Sequence, residues 1–459
     1  MKTPVLVLTL YLGIFCLVQP EPGAAQTYPA NAKTSSASAG YKLLAVKVSG
    51  TTRYNDKEIL AASGLEIGQN AAEGDFKEAA RRLGDSGLFS DVVYTFSYTD
   101  AGAKVEFKLT DTDKNKLVPA HFENFVWFTD AELLSAIQQR VPLFKQLLPV
   151  TGRLPDRVTQ ALQTILMEKH FPGRVNFLPE AKQEGAELVA YVYRDEEVSI
   201  RIRNVEFPGA TPEQAAFLAS TAHRLADADY LRSALAAFAR LDLLPLFLER
   251  GYLKAVIAAS DARVVSPPAS SAEGAAPSPA EAPAPTEVVV DTLLPVTPGK
   301  QYMVSSVTWK GIAAVKTEEA SPLFHLAEGK PANAVQLVRD SENLIRLYHS
   351  RGYMTAQVNP DPHMDGEKST VHYDLNITEG DLYKMGELEI LGLDTQSHDR
   401  VYEAWKLREG ETYNADYTRK FLEDTRPLLP RGAQYSIKIN EEINAKDKTV
   451  DVTIHFKMQ

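Results

Sequence analysis

The side chains that could hold a metal ion are scattered along the chain without a recognisable spacing. No two histidines form a His-Glu-x-x-His pair or a similar arrangement that would place two imidazoles on one face of a helix. His363-Met364-Asp365 lies in the predicted turn between two strands, and we interpret it as a polar turn. The nine histidines are His121, His170, His223, His325, His349, His363, His372, His398 and His455. The sequence therefore predicts no metal site.

Motifs for nucleophilic or phosphate chemistry are missing as well. Thr297-Pro298-Gly299-Lys300 lacks both the earlier glycine and the following Ser or Thr of a phosphate-binding loop. No Gly-x-Ser-x-Gly sequence occurs, and acidic pairs such as Glu441-Glu442 lie on predicted polar surface. We therefore predict no catalytic residue and no cofactor, and a protein that is not an enzyme.

Composition limits the partners that the chain can bind. It has 459 residues, 44% of them hydrophobic and 24% charged, which is typical of globular protein with several small cores. The formal net charge is -11 and the sequence pI is about 5.5. Because phosphate binding needs a basic face, this balance argues against a nucleic-acid partner.

The N-terminus has the features of a secretory signal. An apolar run from Val5 to Val18 is followed by the small residues Gly23-Ala24-Ala25, which predicts cleavage after residue 25. The single cysteine, Cys16, lies within that run. The mature chain is therefore expected to have no disulfide, no cysteine metal site and no transmembrane segment.

The clearest structural unit runs from Gln301 to Gly380. Its hydrophobic periodicity predicts the order strand, helix, helix, strand, strand. Asn333 is a suitable N-cap for the second helix, and Gly352 is a suitable left-handed residue at its end. The predicted strands are Val307–Lys310, Met354–Val358 and Val371–Ile377, with a turn around Asp365-Gly366.

Parts of this unit recur along the chain, which indicates an internal repeat. Each copy begins with a short strand that ends at glycine or, in one degraded copy, at asparagine. A second recurring motif ends in Gly68, Gly329 or Gly410 and separates the two helices. The first motif occurs at Val46–Gly50, Ala120–Asn124, Val205–Gly209, Val307–Gly311 and Leu388–Gly392.

The order of elements predicts an α+β fold of five tandem β-α-α-β-β modules. The three strands of each module form one mixed sheet, and each helix has a single apolar stripe, so both helices must lie on one face. Short connections between modules favour an elongated rod.

The predicted organisation places a signal peptide (residues 1–25) and a disordered segment (26–40) before the five modules. The second module is divergent, and the third carries a Pro/Ala/Ser-rich insertion at 266–286. Because that composition cannot form a core, we predict a solvated loop between strands at Leu253–Ala259 and Val288–Leu294. The module boundaries are 41–113, 114–196, 197–299, 300–380 and 381–459.

With these features the chain resembles a tandem array of POTRA domains, the polypeptide-transport-associated modules of the Omp85 outer-membrane assembly family. The resemblance rests on the order of elements, the strand-ending glycines, the Arg-Gly-Tyr sequences at 250–252 and 351–353, and the closing Glu379-Gly380. It covers residues 41–459. The resemblance implies a periplasmic protein associated with the outer membrane of a Gram-negative-type bacterium.

One departure from the family concerns the membrane barrel. Members of the family continue into a C-terminal barrel, whereas this sequence ends at Gln459, so we expect a barrel to be supplied by another chain. The expected partners are therefore unfolded or extended outer-membrane polypeptides and an outer-membrane β-barrel protein.

The resemblance also implies where a polypeptide would bind. The first strand of each hairpin forms a sheet edge that can accept another chain as an added strand. Among the candidates we favour Met354, Thr355, Ala356, Gln357 and Val358, because they carry no charge, and we also name Val92, Val93 and Tyr94. The candidate edges are Val92–Tyr98, Leu253–Ala259, Met354–Val358 and Tyr435–Ile439.

Two functions remain open from the sequence. The first is a periplasmic scaffold or chaperone-like component that binds extended chains by β-augmentation during outer-membrane protein assembly or export. The second is a structural module that docks an envelope or secretion complex and binds no client. Edges that are merely solvated, or covered by the next module, would favour the second.

Overall fold

The computed structural model of the protein describes residues 40–171, 173–182, 187–266, 286–429 and 434–458. The predicted signal peptide, the rest of the chain before residue 40 and residues 267–285 of the predicted insertion lie outside the described residues. The described part contains helices, five sheets of three or four strands and one two-stranded ribbon. The predicted α+β class is therefore confirmed.

Sheets 1 and 2 are four-stranded and share one topology. Sheet 1 is built from β1 (Tyr41–Ser49), α1 (Asp56–Ser63), β2 (Asn70–Ala71), α2 (Glu73–Asp85), β3 (Phe89–Thr99) and β4 (Gly102–Asp111). Sheet 2 is built from β5 (Leu117–Phe122), α3 (Asp130–Arg140), β6 (Leu147–Pro149), α4 (Leu154–Glu168), β7 (Val175–Ala181) and β8 (Leu188–Asp195). The strand orders are β2-β1-β4-β3 and β6-β5-β8-β7. The prediction of three strands was wrong here, because β2 and β6 add a short fourth strand.

Sheet 3 has three strands in the order β11-β12-β9, and β10 and β13 form a separate ribbon. A π-helical turn at Ala239–Leu243 joins α6 to α7. The elements are β9 (Val198–Glu206), α5 (Pro212–Ala222), α6 (Arg232–Phe238), α7 (Leu244–Leu248), β10 (Val256–Ile257), β11 (Asp261–Ser266), β12 (Thr286–Leu293) and β13 (Val296–Thr297).

The strand predicted at Leu253–Ala259 was largely wrong. Only Val256 and Ile257 of this stretch are in a strand, and the hairpin strand beside β12 is β11. The backbone N–H of Ala255 donates to the carbonyl of Tyr252 in a turn, and Leu253 packs against a core cluster of sheet 4. The apolar pattern of this stretch therefore reflects burial beside a neighbouring sheet. The strand predicted at Val288–Leu294 agrees with β12 to within two residues at either end.

Sheets 4 and 5 are three-stranded, in the orders β14-β16-β15 and β17-β19-β18. Sheet 4 comprises β14 (Met303–Lys310), α8 (Thr317–Ala320), α9 (Ala334–Ser350), β15 (Gln357–Asp365) and β16 (Thr370–Thr378). Sheet 5 comprises β17 (Lys384–Leu391), α10 (Thr395–Ala404), α11 (Ala415–Thr425), β18 (Tyr435–Asn444) and β19 (Thr449–Met458). Short 3₁₀ turns lie at Lys114–Lys116, His223–Leu225, Ser321–Leu323 and Arg426–Leu428.

The glycine between the two helices of a sheet has a specific backbone role. Gly329 has a φ of 75°, and its N–H donates to the carbonyl of Val304 in β14 at 2.8 Å. Gly68 and Gly410 make the same bond to β1 and β17. In sheet 3 Asp227, with a φ of 61°, bonds to Ile202 instead. Aspartate tolerates the left-handed conformation better than most residues, so the contact survives where the glycine motif is not recognisable.

Close packing requires the glycine that follows the first strand in four of the five sheets. A Cβ on Gly311, which has a φ of 83°, would collide with the carbonyl oxygen of Ile377 at the end of β16. The equivalent glycines in the other sheets meet a carbonyl of the chain that runs parallel to them. They are Gly50, Gly209 and Gly392.

Glu379, which follows β16, ties the start and end of sheet 4 together. Its Oε1 accepts hydrogen bonds from the backbone N–H groups of Ala313 and Ala314, both at 2.8 Å, and from the Tyr348 hydroxyl at 2.9 Å. Burial acts to raise the pKa of this carboxyl, but the hydrogen bonds outweigh it and hold the pKa below its usual value. Since the folded pKa is lowered, the ionised form stabilises the fold above the unfolded pKa, and the effect is lost as pH falls.

We predict that Glu379→Gln destabilises sheet 4 by about 1 to 3 kcal/mol at pH 7, because the amide accepts these bonds without a charge. The difference from the unsubstituted chain should shrink as pH falls below about 4, where the carboxylate of the unsubstituted chain begins to take up a proton. Urea unfolding at both pH values, with hydrogen exchange of the peptide containing Ala313, measures this. Glu367→Gln, in the exposed turn after β15, is the control. It should change neither the stability in urea nor the hydrogen exchange of that peptide. A constant difference at all pH values would contradict the account.

Candidate polypeptide-binding edges

Each of the five sheets has one covered edge and one open edge. On the covered side, β2 and β6 pair with the first strands of sheets 1 and 2. In sheets 3 to 5 the segment before α6, α9 or α11 covers this edge by forming a single β-bridge to the first strand. The bridges are Arg201–Asp229, Met303–Pro331 and Lys384–Thr412. On the other side, β3, β7, β11, β15 and β18 have no outer strand partner among the described residues. Their outward N–H and C=O groups are those with which an added strand would pair.

The prediction that Met354–Val358 forms an edge strand was wrong for most of the segment. Met354, Thr355 and Ala356 lie in a turn before β15, in which the N–H of Ala356 donates to the carbonyl of Tyr353. Only Gln357 and Val358 are in β15. The side chain of Met354 is buried among residues of sheet 5, whereas those of Ala356 and Val358 are buried in sheet 4. Burial in two different cores therefore produced the apparent strand alternation.

The rest of β15 is closed to strand addition by two prolines. Pro360 and Pro362 lie opposite Leu375 and Tyr373 in an unbroken antiparallel ladder with β16. Because proline has no N–H, this ladder can form only if the intervening residues supply the N–H groups that face β16. The nitrogens of both prolines therefore face the open side. Two successive donors are missing from that side, which is a known protection of edge strands.

Three of the other open edges have their own obstacles. β7 contains Pro179, and β18 carries Lys438, Glu441 and Glu442. β11 is six residues long, and its Arg263 forms ion pairs with Glu206 and Asp291. Proline, charge and short length each disfavour pairing with an added strand.

β3 in sheet 1 is the longest edge strand, and it has none of these obstacles. It runs for 11 residues without proline, and Asp91 near its start is its only charged residue. Val92, Val93 and Tyr94, which the sequence analysis named, all lie in it. The side chain of Val93 is 47% exposed on the outer face of the sheet, whereas Val92 and Tyr94 are half-buried on the inner face.

The register of the hairpin identifies which groups of β3 face outward. Thr99 pairs with Gly102 across a two-residue loop, and the ladder with β4 is regular from there back to Asp91. In such a hairpin the pair that flanks the loop is hydrogen-bonded, and bonded and non-bonded pairs then alternate. The N–H groups on the open side consequently belong to Val92, Tyr94, Phe96 and Tyr98. These four consecutive donors are available to an added strand.

The same residues form an aromatic strip along the inner face. The rings of Phe96 and Tyr98 are 5.2 Å apart, and those of Tyr94 and Phe96 are 6.3 Å apart. Phe76 of α2 lies 5.5 Å from Phe96, and Tyr41 of β1 lies 4.3 Å from Tyr98. Burial, with the nearby charge of Glu73, raises the pKa of Tyr98, so its hydroxyl stays neutral. An added strand could pack apolar side chains beside this strip.

Within the described ranges, no group of three or more His, Cys, Asp and Glu side chains is arranged to hold a metal ion as the side chains stand. None of the helices described combines the length and the apolar character needed to cross a bilayer.

Comparison with known proteins identifies one of these units. Residues 302–380, which include sheet 4, match the family model described as "POTRA: Surface antigen variable number repeat". A curated protein of Treponema pallidum, "Putative outer membrane protein assembly factor", is 21% identical over 164 residues. That match covers 36% of this chain and 19% of the relative, so the similarity spans about a fifth of the relative's length.

Solved structures resemble the chain at low identity. POTRA3-5 of BamA from Haemophilus influenzae has 19% identity and a TM-score of 0.42, and the match covers 57% of this chain and 96% of that one. The N-terminal domain of Omp85 from Thermosynechococcus elongatus has 15% identity and a TM-score of 0.23, with coverage of 56% and 97%. The predicted resemblance to POTRA domains is therefore confirmed for residues 302–380.

We predict that replacing both prolines of β15 opens its edge. A Pro360→Thr/Pro362→Thr variant regains two outward N–H groups, so it should self-associate through this edge more strongly than the unsubstituted chain. Analytical ultracentrifugation over a concentration series measures the effect. Asn359→Thr is the matched control, because its N–H already faces β16, and it should behave like the unsubstituted chain. Equal association of all three chains would contradict the assigned orientation.

Proposed function

We propose that this chain is a periplasmic polypeptide-binding scaffold in the assembly or export of outer-membrane proteins. An extended client adds to sheet 1 as a further strand beside β3. The observation that carries the proposal is the uninterrupted open side of β3, with outward N–H groups at Val92, Tyr94, Phe96 and Tyr98. The protein is a binding component and not an enzyme.

The proposed organisation is a rod of five POTRA-like modules. All five sheets place the first strand parallel to the last, with the hairpin strand outside, which supports one repeated module. The boundaries we propose are 41–113, 114–196, 197–299, 300–380 and 381–459. The POTRA match at 302–380 supports the fourth of them directly.

The client preference we propose follows from the two parts of the site. Main-chain pairing with β3 recognises extension and little sequence, which suits a scaffold for many clients. The aromatic strip beside it favours strands whose alternate residues are apolar, since these face the strip once the strand is added. Strands with this alternation occur in membrane β-barrels, so unfolded outer-membrane polypeptides fit as clients. The assembly role named for the Treponema pallidum relative is compatible with this, and an outer-membrane β-barrel on another chain remains the expected partner.

A second function is favoured by the obstacles on the other edges. Proline in β7 and β15 and charged residues in β11 and β18 disfavour pairing of these edges with strands of other chains. A chain that only docks an envelope or secretion complex would need no open edge in sheet 1 either. The two functions therefore differ in what β3 binds.

We predict that Tyr94→Pro abolishes client binding and that Tyr94→Ala weakens it only in part. Both variants lose the ring, but only proline also removes an outward donor in the middle of the open side. Affinity for an unfolded outer-membrane protein segment, measured by fluorescence anisotropy, should fall at least about tenfold further in the proline variant than in the alanine variant.

Circular dichroism and thermal unfolding of both variants test whether the sheet remains folded. Equal affinities for the two folded variants would show that main-chain pairing at β3 is not used. Crosslinking from Val93 to one stoichiometric partner, without unfolded clients, would favour the docking function.

A further inference from the structure

The open side of β3 is chemically suited to pairing with a second copy of itself. Edge strands of soluble proteins usually carry proline or charge, or are short, which prevents association with other chains. The open edges of sheets 2 to 5 have such protection, whereas β3 has only Asp91 near its start. This edge is therefore exposed to association whenever no client is bound.

One antiparallel register between two copies uses every outward group of β3. With Thr95 on a two-fold axis, Val92 faces Tyr98 of the other copy. Tyr94 then faces Phe96. These are the residues whose N–H and C=O groups point to the open side, so each facing pair exchanges two hydrogen bonds. An axis at Tyr94 or Phe96 would instead place an outward donor opposite the bulge before Asp91 or opposite the hairpin loop.

The aromatic strip on the inner face is self-complementary in this register. Tyr94 of one copy lies opposite Phe96 of the other, so the two strips join across the axis. Tyr98 is 39% exposed, and Tyr41, whose ring is 4.3 Å from it, is 46% exposed. Val92 of the other copy would lie opposite Tyr98. Pairing therefore covers apolar surface, and cross-strand aromatic contacts add to the main-chain hydrogen bonds.

The outer face opposes no like charges in this register. The facing residues are Thr95 with Thr95, Val93 with Ser97, and Asp91 with Thr99. Within its own sheet, Ser97 pairs with Lys104 of β4. The register therefore brings Asp91 of one copy towards Lys104 of the other, and these exposed side chains have opposite charge.

We propose that a second copy of this chain occupies β3 when no client is bound, in a dimer with two-fold symmetry about Thr95. Because the same surface patch is used by both copies, the contact closes on itself and gives dimers, not fibres. A client uses the same donors, so it must displace the second copy, and its apparent affinity falls as the protein concentration rises. The inference rests on the open edge and not on client binding, so either proposal can fail alone.

Sedimentation equilibrium of the full chain without client tests the dimer. We expect reversible dimerisation, weakened at least about tenfold in Thr95→Lys and in Thr95→Glu. In each of these homodimers two like charges face each other across a non-hydrogen-bonded pair, whose Cα atoms are about 4.5 Å apart. A mixture of the two variants should dimerise again, because opposite charges then face each other. A monomeric unsubstituted chain, or no recovery in a mixture of variants that circular dichroism shows to be folded, would overturn the proposal.

Ser97→Lys and Ser97→Glu are the matched controls. They place the same charges on the same face of β3, but residue 97 faces Val93 of the other copy and not itself. Dimerisation should therefore be affected less than by the Thr95 variants, and mixing the two should restore little. Recovery on mixing the Ser97 variants, without recovery for the Thr95 variants, would show that the two-fold axis is not at Thr95.

Client binding by Thr95→Lys distinguishes the dimer from the proposed function. A client strand meets a single residue 95, so this variant should bind an unfolded outer-membrane protein segment with an affinity that does not depend on its own concentration. Dimerisation of the unsubstituted chain without any client binding would contradict the proposed function alone. Client binding by an unsubstituted chain that stays monomeric would contradict the dimer alone. Client measurements at β3 therefore belong at concentrations below the dissociation constant of the dimer.

Discussion

The parallel pairing of the first and last strands is the constraint on which the rest of the structure depends. Parallel neighbours need a crossover connection, and in these sheets the helices supply it. The last strand then lies in the middle, and the hairpin strand before it is placed outside. The other edge of the first strand is covered by the segment that precedes a subsequent helix of the same sheet, through a short strand or a single β-bridge. Each sheet is consequently left with one open edge, whatever its sequence.

Side chains decide what that open edge can do. In β15 two prolines remove outward donors, whereas β3 keeps four in a row beside half-buried aromatic rings. The same topology therefore gives a protected edge in sheet 4 and an accepting edge in sheet 1. Packing between sheets also constrains the chain. Met354 lies only three residues before the first residue of β15 in sheet 4, but its side chain is buried in the core of sheet 5.

The sequence predicted those features that depend on local backbone chemistry. The glycines after the first strands and between the helices recur because a nearby carbonyl or a left-handed backbone favours glycine, and they led to the correct fold class. Where Asp227 took the place of glycine, the pattern disappeared although the contact remained. The start of β15 could not be predicted, because apolar spacing does not tell which core buries a side chain. The pairing of His363 with His372 required the register across a turn, which periodicity alone does not supply.

Amide hydrogen exchange followed by NMR tests the central claim most directly, because it reports individual backbone groups. On addition of an unfolded outer-membrane protein segment, the amides of Val92, Tyr94, Phe96 and Tyr98 should become protected. Those of Val358 and Met364 on β15 should exchange as before. Protection on β15, or unchanged exchange along β3 while the segment is bound, would contradict the account.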